Sequence, residues 1–141
     1  MKLGTYEDRH FAGVDELWRR CFPDDPPRNR AEHAIPAKLA VEESLGKALF
    51  VVAENEDCGV IGTAMAGYDG HRGWLYAVAV SPDHRRLGIG AALVEEACIR
   101  LRSLGCNKLN LQVRARNEAV AAFYKSLGFE IELRISMGRQ I

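Results

Sequence analysis

The stretch Val78-Ala79-Val80-Ser81-Pro82-Asp83-His84-Arg85-Arg86-Leu87-Gly88-Ile89-Gly90-Ala91-Ala92-Leu93-Val94 leaves the chain little choice of fold. A β-branched apolar run passes through a basic, glycine-containing loop straight into a helical apolar pattern, with no linker between them. A strand that feeds a helix in this way belongs to an α/β architecture. Chemically, the junction is built to hold a phosphorylated ligand. Gly88 and Gly90 remove two side chains where backbone comes close to something, and a helix starting here aims its free N–H groups and the positive end of its dipole at the same spot. Arg85 and Arg86 add two permanent cations with forked donors, suited to a pyrophosphate.

Two common nucleotide loops fail the test of spacing. A Walker loop requires Gly-Lys followed by Ser or Thr, and neither tripeptide occurs in the sequence. A dinucleotide fingerprint requires a third small residue in phase and an acidic residue on a second strand about 20 positions later. Leu93 stands at the first of those places, and Gln112 to Arg114 at the second.

The loop instead resembles the coenzyme A loop of the GNAT acetyltransferases: Arg or Gln, two residues, Gly, one residue, then Gly or Ala. Arg85, Gly88 and Gly90 fit that pattern. A second stretch, Asn117-Glu118-Ala119-Val120-Ala121-Ala122-Phe123-Tyr124-Lys125-Ser126-Leu127-Gly128-Phe129, is similar to the family's other signature of Asn, Phe-Tyr and Gly-Phe. The two lie in the family's order, about one helix and one strand apart, and the resemblance spans at least residues 74–129. Small bacterial members, among them the ribosomal-protein N-terminal alanine acetyltransferases, look most similar. The resemblance implies an α/β GNAT fold: a mixed central sheet with an antiparallel N-terminal meander, a splayed parallel strand pair, and about four flanking helices.

At 141 residues the chain reads as one domain, 1–141, long enough to bury a core without staples. Lys plus Arg and Asp plus Glu both number 19, so net charge favours neither nucleic acid nor a membrane surface. No apolar run approaches the roughly 20 residues of a membrane span, and the start does not read as a signal peptide, so a cytoplasmic location is expected. Cys21, Cys58, Cys98 and Cys106 lack Cys-x-x-Cys spacing, and the four histidines share no helix face. Reduced, packing thiols and no metal site are expected.

Taken in order, residues 3–6 suit a short first strand. Val14, Leu17, Trp18, Cys21 and Phe22 form one apolar helical stripe, ended by Pro23. A second helix is expected from about Pro36, at a first helical position, to Leu45, with Leu39, Val41 and Leu45 inward and Gly46 as its stop. Residues 48–53, 60–68 and 74–80 read as an antiparallel meander, with Gly62 and Gly67 marking bulges or close neighbours. The helix after the glycine loop places Ile89, Leu93, Ala97, Leu101 and Leu104 on one face and stops at Gly105. Residues 108–114 alternate as a strand parallel to 74–80. Asn117 caps the last helix, and 129–137 is expected to return as a final strand, whose exposed edge would suit a homodimer.

The resemblance also assigns roles. Pantetheine would lie between the splayed strands that end at Val80 and Val113, bonded to the backbone of Val78, Ala79 and Val80. Arg85, Arg86, Leu87, Gly88, Ile89, Gly90 and Ala91 would hold the pyrophosphate. Tyr124, beside Phe123, matches the tyrosine that protonates the departing thiolate; a phenol carries its proton at neutral pH. Asn117 would touch acetyl-CoA or act as a cap alone. No glutamate stands where some relatives carry a base, those places being Trp74, Tyr76 and Gln112. A water relay to Glu42 or Glu43, or an amine already deprotonated, remains. Trp74 and Tyr76 read as an acceptor wall or as core. The expected function is acetyl-CoA-dependent N-acetyl transfer to a small-molecule, peptide or protein amine; the alternatives are a CoA-binding sensor without turnover, or a different acyl donor.

Overall fold

The computed structural model describes residues 1–141. Strand β1 (Lys2–Thr5) leads into helix α1 (Phe11–Cys21), whose predicted stripe turns inward: Val14, Leu17 and Trp18 are buried. Helix α2 (Ala31–Leu45) starts five residues earlier than Pro36. Arg30 is extended and its carbonyl accepts the N–H groups of His33 and Ala34, so the helix is nucleated there and carries Pro36 inside. Burial of Ala31 and Ile35 against α1 offsets the hydrogen bond that proline cannot make. The expected inward stripe is also corrected. Val41 is exposed, and the buried line along α2 is Ala31, Ile35, Lys38 and Glu42.

Strands β2 (Phe50–Asn55), β3 (Gly59–Tyr68) and β4 (Gly73–Val80) form the meander, β1 adds antiparallel to β2, and helix α3 (Ile89–Arg102) crosses to β5 (Leu109–Leu111). The sheet order is β1-β2-β3-β4-β5, with β4 and β5 parallel. One face is covered by α3 and α4 (Glu118–Ser126), the other by α1 and α2. Gly62 lets α3 settle on the sheet: a Cβ there would stand 2.9 Å from Leu93 Cδ1 and 3.2 Å from the Ala79 carbonyl oxygen.

Two expectations about the C-terminal half are corrected. β5 stops at Leu111 rather than near Arg114, because β4 bends away after Leu75 and offers no further partner. Residues 129–137 are not a strand. The segment runs beside β5 through side chains, with Glu132 taking Lys108 Nζ and Asn110 Nδ2 at 2.6 Å each and Ser136 meeting Gln112. No backbone hydrogen bond joins it to β5, the chain bends at Leu133 with the Arg134 N–H on the Glu132 carbonyl, and Ile131, Leu133, Ile135 and Met137 are exposed.

Candidate active site

β4 carries one extra residue. Met65 pairs with Tyr76 and Thr63 with Ala79, so Ala64 alone opposes Ala77 and Val78. Ala77 takes φ 50°, and this bulge bends the strand. Pairing with β5 has ended at Leu75, so residues 76–80 present a free edge toward β5. Val78 and Val80 turn their side chains to the α3 and α4 core, and the Val80 carbonyl accepts from Cys21 Sγ at 3.5 Å.

Past Val80 the chain closes one 3-10 turn over Pro82–His84, anchored by Ser81 N–H on the Ile61 carbonyl at 2.8 Å. Arg86 (φ 64°) and Gly88 (φ 78°) then use left-handed backbone to deliver the chain into α3. Gly88 has no side chain to cap the first N–H groups of α3, so those of Ile89, Gly90 and Ala91 remain available donors at the positive end of the dipole. Arg85 folds back, its Nε 3.3 Å from the Val80 carbonyl oxygen, while Arg86 and Leu87 are exposed. Gly90 answers to packing: its Cβ would lie 3.1 Å from Phe123 Cζ and 3.7 Å from Val80 Cγ2. Through that contact β4, the loop and α4 converge.

The packing of α4 fixes Tyr124. Its ring meets Phe123 edge-on at 5.0 Å and Phe129 at 5.4 Å, and its carbonyl accepts the N–H groups of Leu127 and Phe129. Burial pushes its phenol up to about 12. Asn117 caps α4 by accepting the Val120 N–H at 3.2 Å. Tyr124, Asn117, Ala91 and Trp74 share a groove of about 1630 Å³ bounded by α3, α4, β5 and the C-terminal segment. The groove does not extend to Val78, Arg85 or Gly88, which lie around the end of β4.

Trp74 and Tyr76 share a face and are half exposed, alternating with buried Gly73 and Leu75. Tyr76 lies under α2, with Lys38 Nζ 5.4 Å from its ring centroid. Lys38 itself is buried and donates to the Ala66 carbonyl, and desolvation lowers its pKa. Glu42, one turn on and 4.0 Å away, is buried and accepts the Leu49 N–H.

The sequence profile of the acetyltransferase (GNAT) family matches residues 11–129. The chain belongs to the GNAT acetyltransferases. Acetyltransferase YE1169 of Yersinia enterocolitica is 36% identical over 141 residues, covering all of this chain and 96% of that one. A solved putative acetyltransferase from Agrobacterium tumefaciens superposes with TM-score 0.78 at 25% identity, over 99% of this chain and 100% of that one. The fold is also that of a ribosomal-protein-alanine N-acetyltransferase from Brucella melitensis (TM-score 0.75, 23% identity, 92% and 85% covered).

As a GNAT member the protein is an N-acetyltransferase that uses acetyl-CoA. The residues present fit that donor: an unpaired strand edge for amides, uncapped N–H groups with two arginines for phosphates, and a buried phenol on the adjoining helix. GNAT enzymes act on amine acceptors, small molecules and peptides among them. No helix is long and apolar enough to cross a membrane. Glu42 was a candidate base in the sequence, but its burial, and Lys38 altogether, escaped the sequence reading because charged residues on a helix ordinarily face water. Their i, i+4 spacing was the available signal.

Proposed function

We propose that this GNAT enzyme transfers the acetyl group to a primary amine by direct attack, with Tyr124 as general acid. The observation that carries the reading is the run of β4 five residues beyond its last pairing with β5, beside an uncapped, arginine-bearing helix start. Acetyl-CoA supplies a thioester whose carbonyl the amine attacks, so that an amide forms and the thiol leaves. The free edge at Val78 to Val80 binds the pantetheine amides, and Arg85, Arg86 and the N–H groups from Leu87 to Ala91 hold the phosphates. Asn117 acts through its cap, which holds α4, and Tyr124, at the proper height.

Neither Trp74 nor Gln112 can accept a proton usefully, and Glu42 is committed to the Leu49 N–H beside Lys38. Glu43 is exposed on the outer side of α2, and the neutral fraction of the amine is the nucleophile. Trp74 and Tyr76 offer an aromatic wall, and Lys38 Nζ already occupies the position over the Tyr76 ring that a second cation would take; an amine carried on an apolar body suits this face. Related folds serve varied acceptors: one neighbour of 20% identity is AAC(6')-Iy bound to a CoA-S-monomethyl-acetylneamine bisubstrate analog.

The test is thiol release from acetyl-CoA against a panel of aryl-alkyl amines, peptides with free N-termini and polyamines. Turnover best on the apolar amines, rising with pH along the amine's own titration, is the expected result. Binding of acetyl-CoA with no thiol release from any amine would replace the enzyme reading with that of a CoA-binding module.

A further inference from the structure

We infer that Thr63, held by Trp18, is a positioning residue that aims the backbone N–H of Val78 at the thioester carbonyl. The inference rests on the acetyl-transfer reading above. Trp18 Nε1 lies 2.9 Å from Thr63 Oγ1, and Thr63 Oγ1 lies 2.9 Å from the Ala77 carbonyl oxygen. The direction of each bond is settled by chemistry. An indole N–H only donates, so the threonine oxygen accepts from it, and the one hydroxyl hydrogen is left for the carbonyl. Thr63 is 0% exposed and Trp18 5%, so the indole bond has no water as a substitute, while the bond to the Ala77 carbonyl is half-buried.

Ala77 is the residue whose carbonyl is held, and it lies in the bulge at φ 50°, a backbone conformation that an alanine ordinarily avoids. Without a partner at Thr63, its peptide would relax toward the β region. In a planar trans peptide the C=O and the following N–H point in opposite directions. Drawing the Ala77 carbonyl inward onto β3 therefore turns the Val78 N–H outward, to the side where β5 has stopped pairing. A donor fixed there, on rigid backbone, meets the carbonyl oxygen as charge builds on it. Three elements act in concert, α1 supplying the indole, β3 the hydroxyl, and β4 the donor that the first two orient.

The test uses Thr63→Val, which keeps the side-chain shape and removes the hydroxyl, with Thr63→Ser as the rescue. Two readouts are taken: steady-state thiol release, and the Val78 amide resonance in ¹⁵N-labelled protein on adding acetyl-CoA and, separately, CoA. In the native protein acetyl-CoA is expected to shift Val78 beyond what CoA does. Thr63→Val is expected to abolish that difference and to lower kcat by about 10²-fold, with KM for acetyl-CoA within threefold. Thr63→Ser should stay within threefold of native on both. Trp18→Phe, which keeps a ring against Phe50, should fall between them and carries the test should the valine variant not fold.

A folded Thr63→Val with kcat within twofold of native, or a Thr63→Ser as impaired as the valine, would overturn the inference. So would acetyl-CoA shifting the amides of residues 85–91 while leaving Val78 where CoA leaves it; that result would spare the proposed function. Amides of 85–91 unmoved by either ligand would instead refute the cofactor placement, and this inference with it.

Discussion

Replacing Tyr124 by phenylalanine separates its chemistry from its packing. The ring contacts to Phe123 and Phe129 and the two hydrogen bonds at the Tyr124 carbonyl all survive the change. Stability should move by no more than about 1 kcal/mol, a melting shift of about 4 °C or less. Activity should respond differently. Against a solvated thiolate of pKa about 8.5, a phenol at about 12 would donate uphill by about 3.5 units, or about 5 kcal/mol. Burial that raises the phenol raises a neighbouring thiol as well, and Cys98 shows the same direction in this protein. Much of the mismatch would thereby be removed, and in the proposed mechanism Tyr124 would act as a short-range donor to the leaving sulfur. A loss of about 10²-fold in kcat is expected, at the lower end for a positioned acid, with acetyl-CoA affinity unchanged. The pH profile of the native enzyme should show no descending limb from this group below about pH 11. Thiol release followed from pH 6 to 10, alongside calorimetric binding of acetyl-CoA, provides the assay. Native-like kcat in Tyr124→Phe, or a melting temperature lowered by more than 10 °C, would refute the assigned role.

Gly62→Ala should destabilise by about 1–3 kcal/mol in urea unfolding, because its Cβ meets Leu93 and a backbone oxygen that cannot yield, whereas Gly4→Ala, with open space around it, should be nearly silent. A Gly62→Ala midpoint equal to that of native would show that α3 does not pack as described. Glu54 is held at about 2, down from the usual 4.5, by the Arg9 guanidinium first and His10 second. Its pairing therefore stabilises the fold above about pH 4.5 and is lost as pH falls toward about 2. Glu54→Gln should be less stable at pH 7 by about 1 kcal/mol and should converge with native near pH 2; a gap that widens on acidification would contradict the sign.

The parts of the site legible in the sequence were those where one local requirement selects one residue type. Asn117 is required at the start of α4, where it accepts the Val120 N–H, and Gly88 by left-handed backbone at the start of α3, a reason beyond the ligand space it was first read for. Gly90 was read as space for a ligand, yet in the structure its missing side chain makes room for Phe123, a neighbour that spacing along the chain cannot reveal. The bulge at Ala77 left no mark because no glycine or proline stands there; a threonine on β3 and a tryptophan on α1 hold it, each 14 or more residues away. The strand expected over residues 129–137 does not form: the chain bends at Leu133, where the Arg134 N–H turns back onto the Glu132 carbonyl. Glu132 and Ser136 find side-chain partners at Lys108, Asn110 and Gln112, on and beside β5, and no ladder forms.

The central claim is that the loop from Arg85 to Ala91 and the free edge of β4 bind acetyl-CoA together. Isothermal titration of the native protein with acetyl-CoA tests it most directly, with Arg86→Ala as the paired sample. The account predicts one saturable site per chain, with the alanine variant weaker by about 10-fold or more, the loss of a charge-assisted phosphate contact. No heat of binding from acetyl-CoA or any longer acyl-CoA up to millimolar concentration, or equal affinity in Arg86→Ala, would contradict it.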